Sequence, residues 1–564
     1  MYAELRQAWA DLIAPGAPFE VRRVEVRGQS LLAFANAPRS LRDVWVASAA
    51  HADRDYLVYG DERWTYAEAH RDVASLAAWL VARGVQPGDR VAIAMRNYPE
   101  WILTYWAALS VGAAVVGMNA WWVGEEMLYG LADSSPKVLV CDRERLERFV
   151  PVRGEAPAME VVAVRVPGLL PDGVVAFGDL LGSGAALPSV EVDPDSDACI
   201  FYTSGTTGRP KGAQLTHRSC TNNLLSIGFW AAVQAAAQQK AGLLPAPRGE
   251  DRQAAAMVPT PLFHVTANNC VAHPMTAAGG KLVSMYRWDP GEALRLIERE
   301  RVTNFSGVPT MARELLAHPD FAKHDTSSLR ALGGGGAQLQ PDLVTKIEGA
   351  RRGRPSTGYG MTETSGIITA NGADFFVDKP ASVGPVMPCF EARCVDPEGN
   401  DVGPGELGEL WVRGAQVIRG YLNRPEATAE SITDGWLHTG DIARIDADGF
   451  VFLVDRAKDM VIRGGENVYC SEVESVIFRH PDVVECAAFS VPDDRLGEEV
   501  GAAVVVRPGA ALTGDALREH CAGLMARYKV PRYLWLRTEL LPRNASGKFL
   551  KRELRGTLDP AEAC

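Results

Sequence analysis

Between Tyr202 and Ala213 the chain reads Tyr202-Thr203-Ser204-Gly205-Thr206-Thr207-Gly208-Arg209-Pro210-Lys211-Gly212-Ala213, with four Ser/Thr hydroxyls, three glycines and one lysine. The apolar run Ala198-Cys199-Ile200-Phe201 precedes it, so the segment reads as a loop leaving a strand. Glycine lets a backbone approach an anion closely, and successive N–H groups form a nest for phosphate oxygens. The hydroxyls add donors and Lys211 adds a positive charge. A polar surface turn is the plainer reading, but this density of donors favours a phosphate cradle with a nucleoside triphosphate as its ligand. The phosphate loop of kinases and GTPases ends in Gly-Lys-Ser/Thr. Lys211 stands between Pro210 and Gly212, so that template does not apply.

Three more segments carry chemistry-bearing side chains. In Tyr359-Gly360-Met361-Thr362-Glu363-Thr364, which follows the glycine run 333–336, an aromatic ring could stack on a purine. The carboxylate beside Thr362 could hold Mg²⁺ against phosphate oxygens. Trp436-Leu437-His438-Thr439-Gly440-Asp441 precedes Asp455-Arg456-Ala457-Lys458-Asp459, pairing an acceptor for a ribose diol with an arginine. Pro542-Arg543-Asn544-Ala545-Ser546-Gly547-Lys548 puts a lysine on a small polar loop. Each has a structural alternative when taken alone: a turn into a helix, a capped turn, a solvated loop.

In this order the four segments resemble the motifs of the adenylate-forming superfamily, and the likeness extends from about residue 50 to residue 555. That family includes acyl-CoA synthetases, aryl-CoA ligases, amino-acid adenylation domains and firefly luciferase. The resemblance implies that Thr203, Ser204, Gly205, Thr206, Thr207, Gly208 and Lys211 hold phosphates. It implies that Tyr359, next to Gly360, stacks on adenine, and that residues 334–338, among them Gly336 and Ala337, line the adenine and acyl pocket. Gln338 departs from the small residue or proline expected there. Thr362 would contact the α-phosphate, Glu363 would bind magnesium, and Asp441 with Arg456 would hold the ribose. Lys548 matches the family's C-terminal catalytic lysine, and Lys458 lies where relatives place a hinge. Gly464, Gly465 and Glu466, within Arg463-Gly464-Gly465-Glu466-Asn467, would complete a pantetheine tunnel once the small domain has rotated.

His264, in Pro261-Leu262-Phe263-His264, reads by residue type alone as a core histidine. In acyl-CoA synthetases the matching residue sits beside the bound carboxylate. No Asp or Glu occurs from Met257 to Arg287, so a substrate ammonium would lack a partner there. A plain carboxylic acid fits better, and the apolar surroundings favour a fatty or otherwise hydrophobic one. The implied reaction joins the acid to AMP from ATP and then passes the acyl group to coenzyme A. An aryl-acid CoA ligase, an acyl-AMP ligase loading a carrier protein, a luciferase-like oxygenase and a non-enzymatic binding protein are the alternatives.

These segments need a scaffold. At 564 residues the chain is too long for one core, and 47% apolar with 23% charged residues is ordinary for a globular protein. The net charge of −12 and the shortness of the basic cluster Arg351-Arg352-Gly353-Arg354 argue against nucleic acid as a partner. Ten cysteines without a Cys-x-x-Cys pair indicate neither a zinc site nor a disulfide framework. The segment 1–6 lacks a signal-peptide pattern and the last residues match no lipidation box, which points to the cytoplasm. Peripheral membrane contact and a homodimer stay open.

Apolar strands alternating with helices predict layered α/β sheets, with a small antiparallel barrel-like unit past Asp374. The expected division is a large domain, 1–455, and a small mobile α+β domain, 456–564. The first forty-odd residues, with Pro15, Pro18 and Pro38, read as an irregular lead-in. The uncharged stretch Trp101 to Gly124 has the length of a membrane span, but Gly112, Gly117 and Asn119 interrupt it. It is read as a buried helix followed by a buried strand. Thr65-Tyr66-Ala67-Glu68 and Ser471-Glu472-Val473-Glu474 read as capping boxes.

Overall fold

The structure is a computed structural model that describes the chain apart from residues 204–208, 244–252, 338, 457, 465 and 545–546. The described strands form two eight-stranded sheets, a six-stranded antiparallel sheet, a five-stranded sheet and an N-terminal hairpin.

The first large sheet takes its central strands from apolar runs with polar residues only at their ends, such as Arg90, Asp142 and Glu160. Arg90–Ala94, Ala114–Gly117, Val138–Asp142 and Glu160–Val164 pair in parallel and are buried on both faces. The second sheet pairs Ala255–Val258, Asn304–Gly307, Ala331–Gly334 and Arg354–Met361 in parallel. Helices Pro99–Ser110 and His217–Lys240 touch strands of both large sheets and so lie between them. Helix Pro99–Ser110 is buried along its whole length, which explains why its sequence carries no polar face. The uncharged stretch is therefore this helix and the buried strand Ala114–Gly117, and no described helix is long and apolar enough to cross a membrane. Trp45 stacks on Trp106 at 5.3 Å between ring centres, and Trp106 Nε1 donates to Tyr56 Oη at 2.8 Å.

The glycine run at 333–336 is a packing requirement. A Cβ on Gly333 would sit 1.9 Å from the Ser356 carbonyl oxygen, and one on Gly334 2.0 Å from that of Gly307. Only bare backbone lets these three strands approach so closely.

Three expectations are corrected. The lead-in is ordered: helix Tyr2–Ile13 and the hairpin Val21–Val26 with Gln29–Phe34, the prolines Pro15 and Pro18 falling in the connection between them. Ser471 is not a helix cap. The helix starts one residue earlier, at Cys470, whose N–H is taken by the Asp455 carboxylate, while the Ser471 hydroxyl donates to the Val454 carbonyl. The six-stranded sheet, with Trp436–Ile445 and Phe450–Arg456 at its centre, follows an open pairing path from Gly384–Pro385 to Phe390–Val395 rather than a closed ring.

Its last strand ends at Arg456, and the five-stranded sheet begins at Val461. Gly497–Val506 is the central strand of that last sheet, with Val483–Asp493 antiparallel on one side and Tyr533–Arg537 parallel to it.

Candidate active site

Ligands of parallel sheets gather at the carboxyl ends of the strands, and the candidate residues lie there. Gly336 and Ala337 follow Ala331–Gly334, Tyr359 and Gly360 close Arg354–Met361, and His264 follows Ala255–Val258. Thr203 ends the strand Asp197–Thr203 and pairs with Lys211 at the start of the next. Ser204, Gly205, Thr206, Thr207, Gly208, Gln338 and Gly465 lie outside the described residues.

The Lys211 end of the 203–211 segment approaches the Thr362–Glu363 turn through Tyr421. Lys211 Nζ lies 5.2 Å from the centre of the Tyr421 ring, and Tyr421 Oη donates to Glu363 Oε1 at 2.7 Å. Burial and Glu363 push the Tyr421 hydroxyl's pKa up, so it stays a donor. Glu363 is buried, its carbonyl accepts from Ile418 N at 3.0 Å, and Tyr421 occupies one of its two carboxylate oxygens. Thr362 is buried beside it.

A second group sits across the cleft. Asp441 accepts from Tyr359 Oη at 2.6 Å and from Arg456 Nε at 3.2 Å. Its backbone is held by Thr439 Oγ1, which accepts from Asp441 N at 3.1 Å. Asp441 is buried while Tyr359 is half-buried, leaving part of the ring exposed.

Lys548 reaches this group from the far end of the chain. Gly547 packs so tightly on Val308 that a Cβ there would lie 3.0 Å from Val308 Cγ2. Arg543 Nη1 donates to Thr310 Oγ1 at 2.9 Å and the same guanidinium pairs with Glu485, clamping the loop across the interface. Burial and Arg456 lower the Lys548 pKa from the usual lysine range, and Asp441 and Glu363 oppose that shift. Burial and Lys548 in turn lower His264 to about 4, so its imidazole is neutral at pH 7. His264 Nδ1 caps the short helix Val265–Ala267, accepting from Thr266 N at 3.5 Å.

Beside His264 opens a cavity of about 190 Å³ whose lining includes Ile227, Trp230, Cys270, Gly336, Ile367 and Ala370. Trp230 lines it. Phe229 does not: it points to another side of the helix and packs on Trp9 and Phe19 at 4.6 and 5.6 Å. Val308 contacts the Lys548 loop rather than lining this cavity.

Gly464 and Glu466 are not brought to this cluster. They lie exposed on the hairpin Val461–Arg463 with Glu466–Val468, where Gly464 N donates to Leu496 O at 2.8 Å. Tyr421 is the site residue missed by reading along the chain. It belongs to no motif and meets Glu363 only because Gly420–Tyr421 adds to the edge of the first sheet beside Ala213. Among the described residues no group of three or more His, Cys, Asp or Glu could hold a metal ion by itself.

The chain is similar to known proteins along most of its length. The family "AMP-binding enzyme" matches residues 44–422, and "AMP-binding enzyme C-terminal domain" matches residues 472–548. The chain is similar to a feruloyl-CoA synthase of Amycolatopsis sp, at 39% identity over 88% of this chain and 94% of that one. It is also similar to a long-chain-fatty-acid–CoA ligase of Bacillus subtilis, at 30% identity over 92% and 94%. Among solved structures it resembles the anthranilate CoA ligase AuaEII in complex with anthranoyl-AMP, with a TM-score of 0.82 and 26% identity over 92% and 96%. With both of its parts matched, the chain belongs to the AMP-binding enzyme family, the adenylate-forming enzymes.

Proposed function

We propose that this protein is an AMP-forming acid–thiol ligase that joins a compact hydrophobic carboxylic acid to coenzyme A through an acyl adenylate. The observation that carries the reading is the grouping of Lys548 with Asp441, Glu363 and His264, next to a cavity whose lining includes Val265 and Thr266, the two residues after His264. A carboxylate is a poor electrophile. Its attack on the α-phosphorus of ATP expels pyrophosphate and leaves AMP as the group that the CoA thiolate later displaces. The first step gathers negative charge around phosphorus, so the protein's task is positioning and charge stabilisation.

In this reading Asp441 accepts the ribose hydroxyls, steadied by Arg456, and the exposed part of the Tyr359 ring takes the adenine. Lys548 and Thr362 face the α-phosphate, and neutral His264 orients the acid carboxylate without adding charge. Thr203 and Lys211, with the loop they bracket, take the outer phosphates. Glu363 suits magnesium: Tyr421 leaves one carboxylate oxygen free, and this ion is commonly held by one carboxylate together with substrate phosphates. When bound there it would neutralise phosphate charge. The domain division falls at 455/456 with Lys458 as the hinge. Turning about it would withdraw Lys548 and bring Gly464, Gly465 and Glu466 to the adenylate for thiol attack.

The cavity narrows the acid. At about 190 Å³ it is smaller than the roughly 300–1,000 Å³ of pockets for drug-sized ligands. Glycine backbone and the Trp230 side chain form part of its walls, which suits a flat aryl acid better than a long chain. Trp230→Ala should therefore raise kcat/KM for an acid longer by one or two methylenes relative to the native one by about ten- to a hundredfold, measured by pyrophosphate release. An unchanged preference would show that Trp230 does not bound the acid.

Lys548 must be charged for adenylation, and its pKa is lowered. In the free enzyme, kcat/KM for ATP should thus fall on the alkaline side before the 10.5 of an unperturbed lysine. Thioester formation from supplied acyl adenylate should lack that limb.

The reading is tested by incubating the protein with ATP, Mg²⁺ and panels of aryl and fatty acids, with and without CoA, and identifying products by mass spectrometry. A CoA thioester from one class supports it. Adenylate that never becomes thioester would move the acceptor to a carrier protein, and no adenylate from any acid would end the enzymatic reading.

A further inference from the structure

The turn that carries Thr362 and Glu363 has little regular structure to hold it. Thr362–Thr364 is a single 3₁₀ turn, followed by Ser365 in the left-handed region at φ 57°. Gly366 follows at φ 146°. What fixes the turn is a ring of buried side chains from other elements. Asn269 Nδ2 donates to Ser365 O at 2.9 Å, and Ser365 Oγ donates to Ser219 Oγ at 2.8 Å. Asn223 Oδ1 accepts from Ile367 N at 2.9 Å, while Asn223 Nδ2 donates to Asn269 O at 3.1 Å and closes the circuit. Gly366 permits this approach, since a Cβ there would lie 2.2 Å from Asn223 Oδ1. Gln416 also donates, to Ile367 O at 3.0 Å, and is itself anchored on Ser226 and Cys389.

Of these anchors Asn269 sits nearest in sequence to residues that line the acid cavity, while Asn223 and Ser219 lie on the helix that presents Ile227 and Trp230 to it. Asn269 belongs to the π-helical segment Asn268–Ala272, which continues the short helix capped by His264. Thr266 and Cys270, before and after it on that run, line the acid cavity. Successive residues of a helix point in different directions, so one rigid turn presents Cys270 to the acid and Asn269 to the Ser365 carbonyl. The wider π turn fits such a dual role, and π segments recur at functional sites. Asn269, Asn223 and Ser365 are all fully buried, so their hydrogen bonds have no water to replace them.

We propose that Asn269 is a positioning residue that ties the acid cavity to the Thr362–Glu363 turn, so that the way the acid fills the cavity is felt at the carboxylate that faces the nucleotide's cation. The inference rests on the reading of Glu363 given above. It reaches beyond that reading by making metal-assisted nucleotide binding depend on the acid.

The test is a calorimetric titration of the intact protein with α,β-methylene-ATP, with and without Mg²⁺, in the presence of benzoate or of octanoate. The readout is the gain in affinity that Mg²⁺ brings. In the wild-type protein that gain should differ between the two acids. In Asn269→Ala it should fall by about tenfold, as for other residues that orient a metal ligand, and become equal for both acids. The metal-free affinity should fall much less, because Asp441 and Tyr359 are untouched and Thr362 alone of the proposed nucleotide contacts rides on this turn; a merely structural defect would weaken both affinities together. Ser219→Ala, a mild change on a helix, loosens the same turn and should show a smaller loss of the gain. It carries the measurement if Asn269→Ala does not fold by circular dichroism. An undiminished gain in the folded variant, or an acid dependence that persists in it, would overturn the proposal. If Mg²⁺ brings no gain even in the wild-type protein, the reading of Glu363 has failed instead.

Discussion

Replacing Lys548 by alanine should lower acyl-adenylate formation by about a hundredfold or more and leave thioester formation from supplied acyl adenylate nearly untouched. The magnitude follows from the loss of one preorganised donor at a developing negative charge, which typically removes about 2.7–4 kcal/mol. The asymmetry follows from the fold. Lys548 is held at the cleft by contacts of a second domain, Gly547 on Val308 and Arg543 on Thr310, and the proposed turning about Lys458 requires these to break and re-form. Rapid-quench measurement of pyrophosphate release, set beside thioester formation from synthetic adenylate, separates the two steps. Equal loss of both would mean that Lys548 serves folding or docking, and the two-arrangement mechanism would fall. Arg543→Ala offers a control, because it weakens the clamp while leaving the lysine in place.

Asp441→Ala should act on the nucleotide and not on the acid. The aspartate organises Tyr359 and Arg456, and in the proposed complex it accepts the ribose hydroxyls. A hydrogen bond to a charged acceptor contributes roughly 1.5–3 kcal/mol, so losing two predicts a fall of about a hundredfold or more in kcat/KM for ATP. The KM for the acid should change little. Tyr359→Phe divides the effect: it loses the 2.6 Å bond to Asp441 but keeps the ring, and should retain most of the affinity. Steady-state kinetics with each substrate varied in turn gives the answer. An Asp441→Ala variant with an unchanged KM for ATP and a raised KM for the acid would relocate the ribose.

Much of this site was legible in the order of residues because the chemistry is local. A phosphate loop needs glycines, hydroxyls and a lysine within one short segment, and Tyr359, Thr362 and Glu363 lie within five positions. Helices and buried strands were legible for the same reason, since periodicity and capping act over a few residues; the Thr65 and Glu68 capping box is an example. The Ser471 box failed because a distant side chain, Asp455, took the N-terminal donor that a cap would have served. The N-terminal helix and hairpin were overlooked because their apolar faces have meaning only against the core they cover.

What tertiary structure alone decided is which remote side chains meet. Tyr421 reaches Glu363 through sheet pairing, Lys548 reaches Asp441 through a domain interface, and Asn269 reaches Ser365 through a π turn. None of these partners is near the other in sequence, and each meeting depends on a register or packing distance set by the whole fold. The sequence by itself therefore determined the kind of chemistry, because the reacting groups are written into short segments. The size of the cavity, the support of the Thr362–Glu363 turn and the lowered pKa of the lysine were decided by the packing of segments that lie tens to hundreds of residues apart.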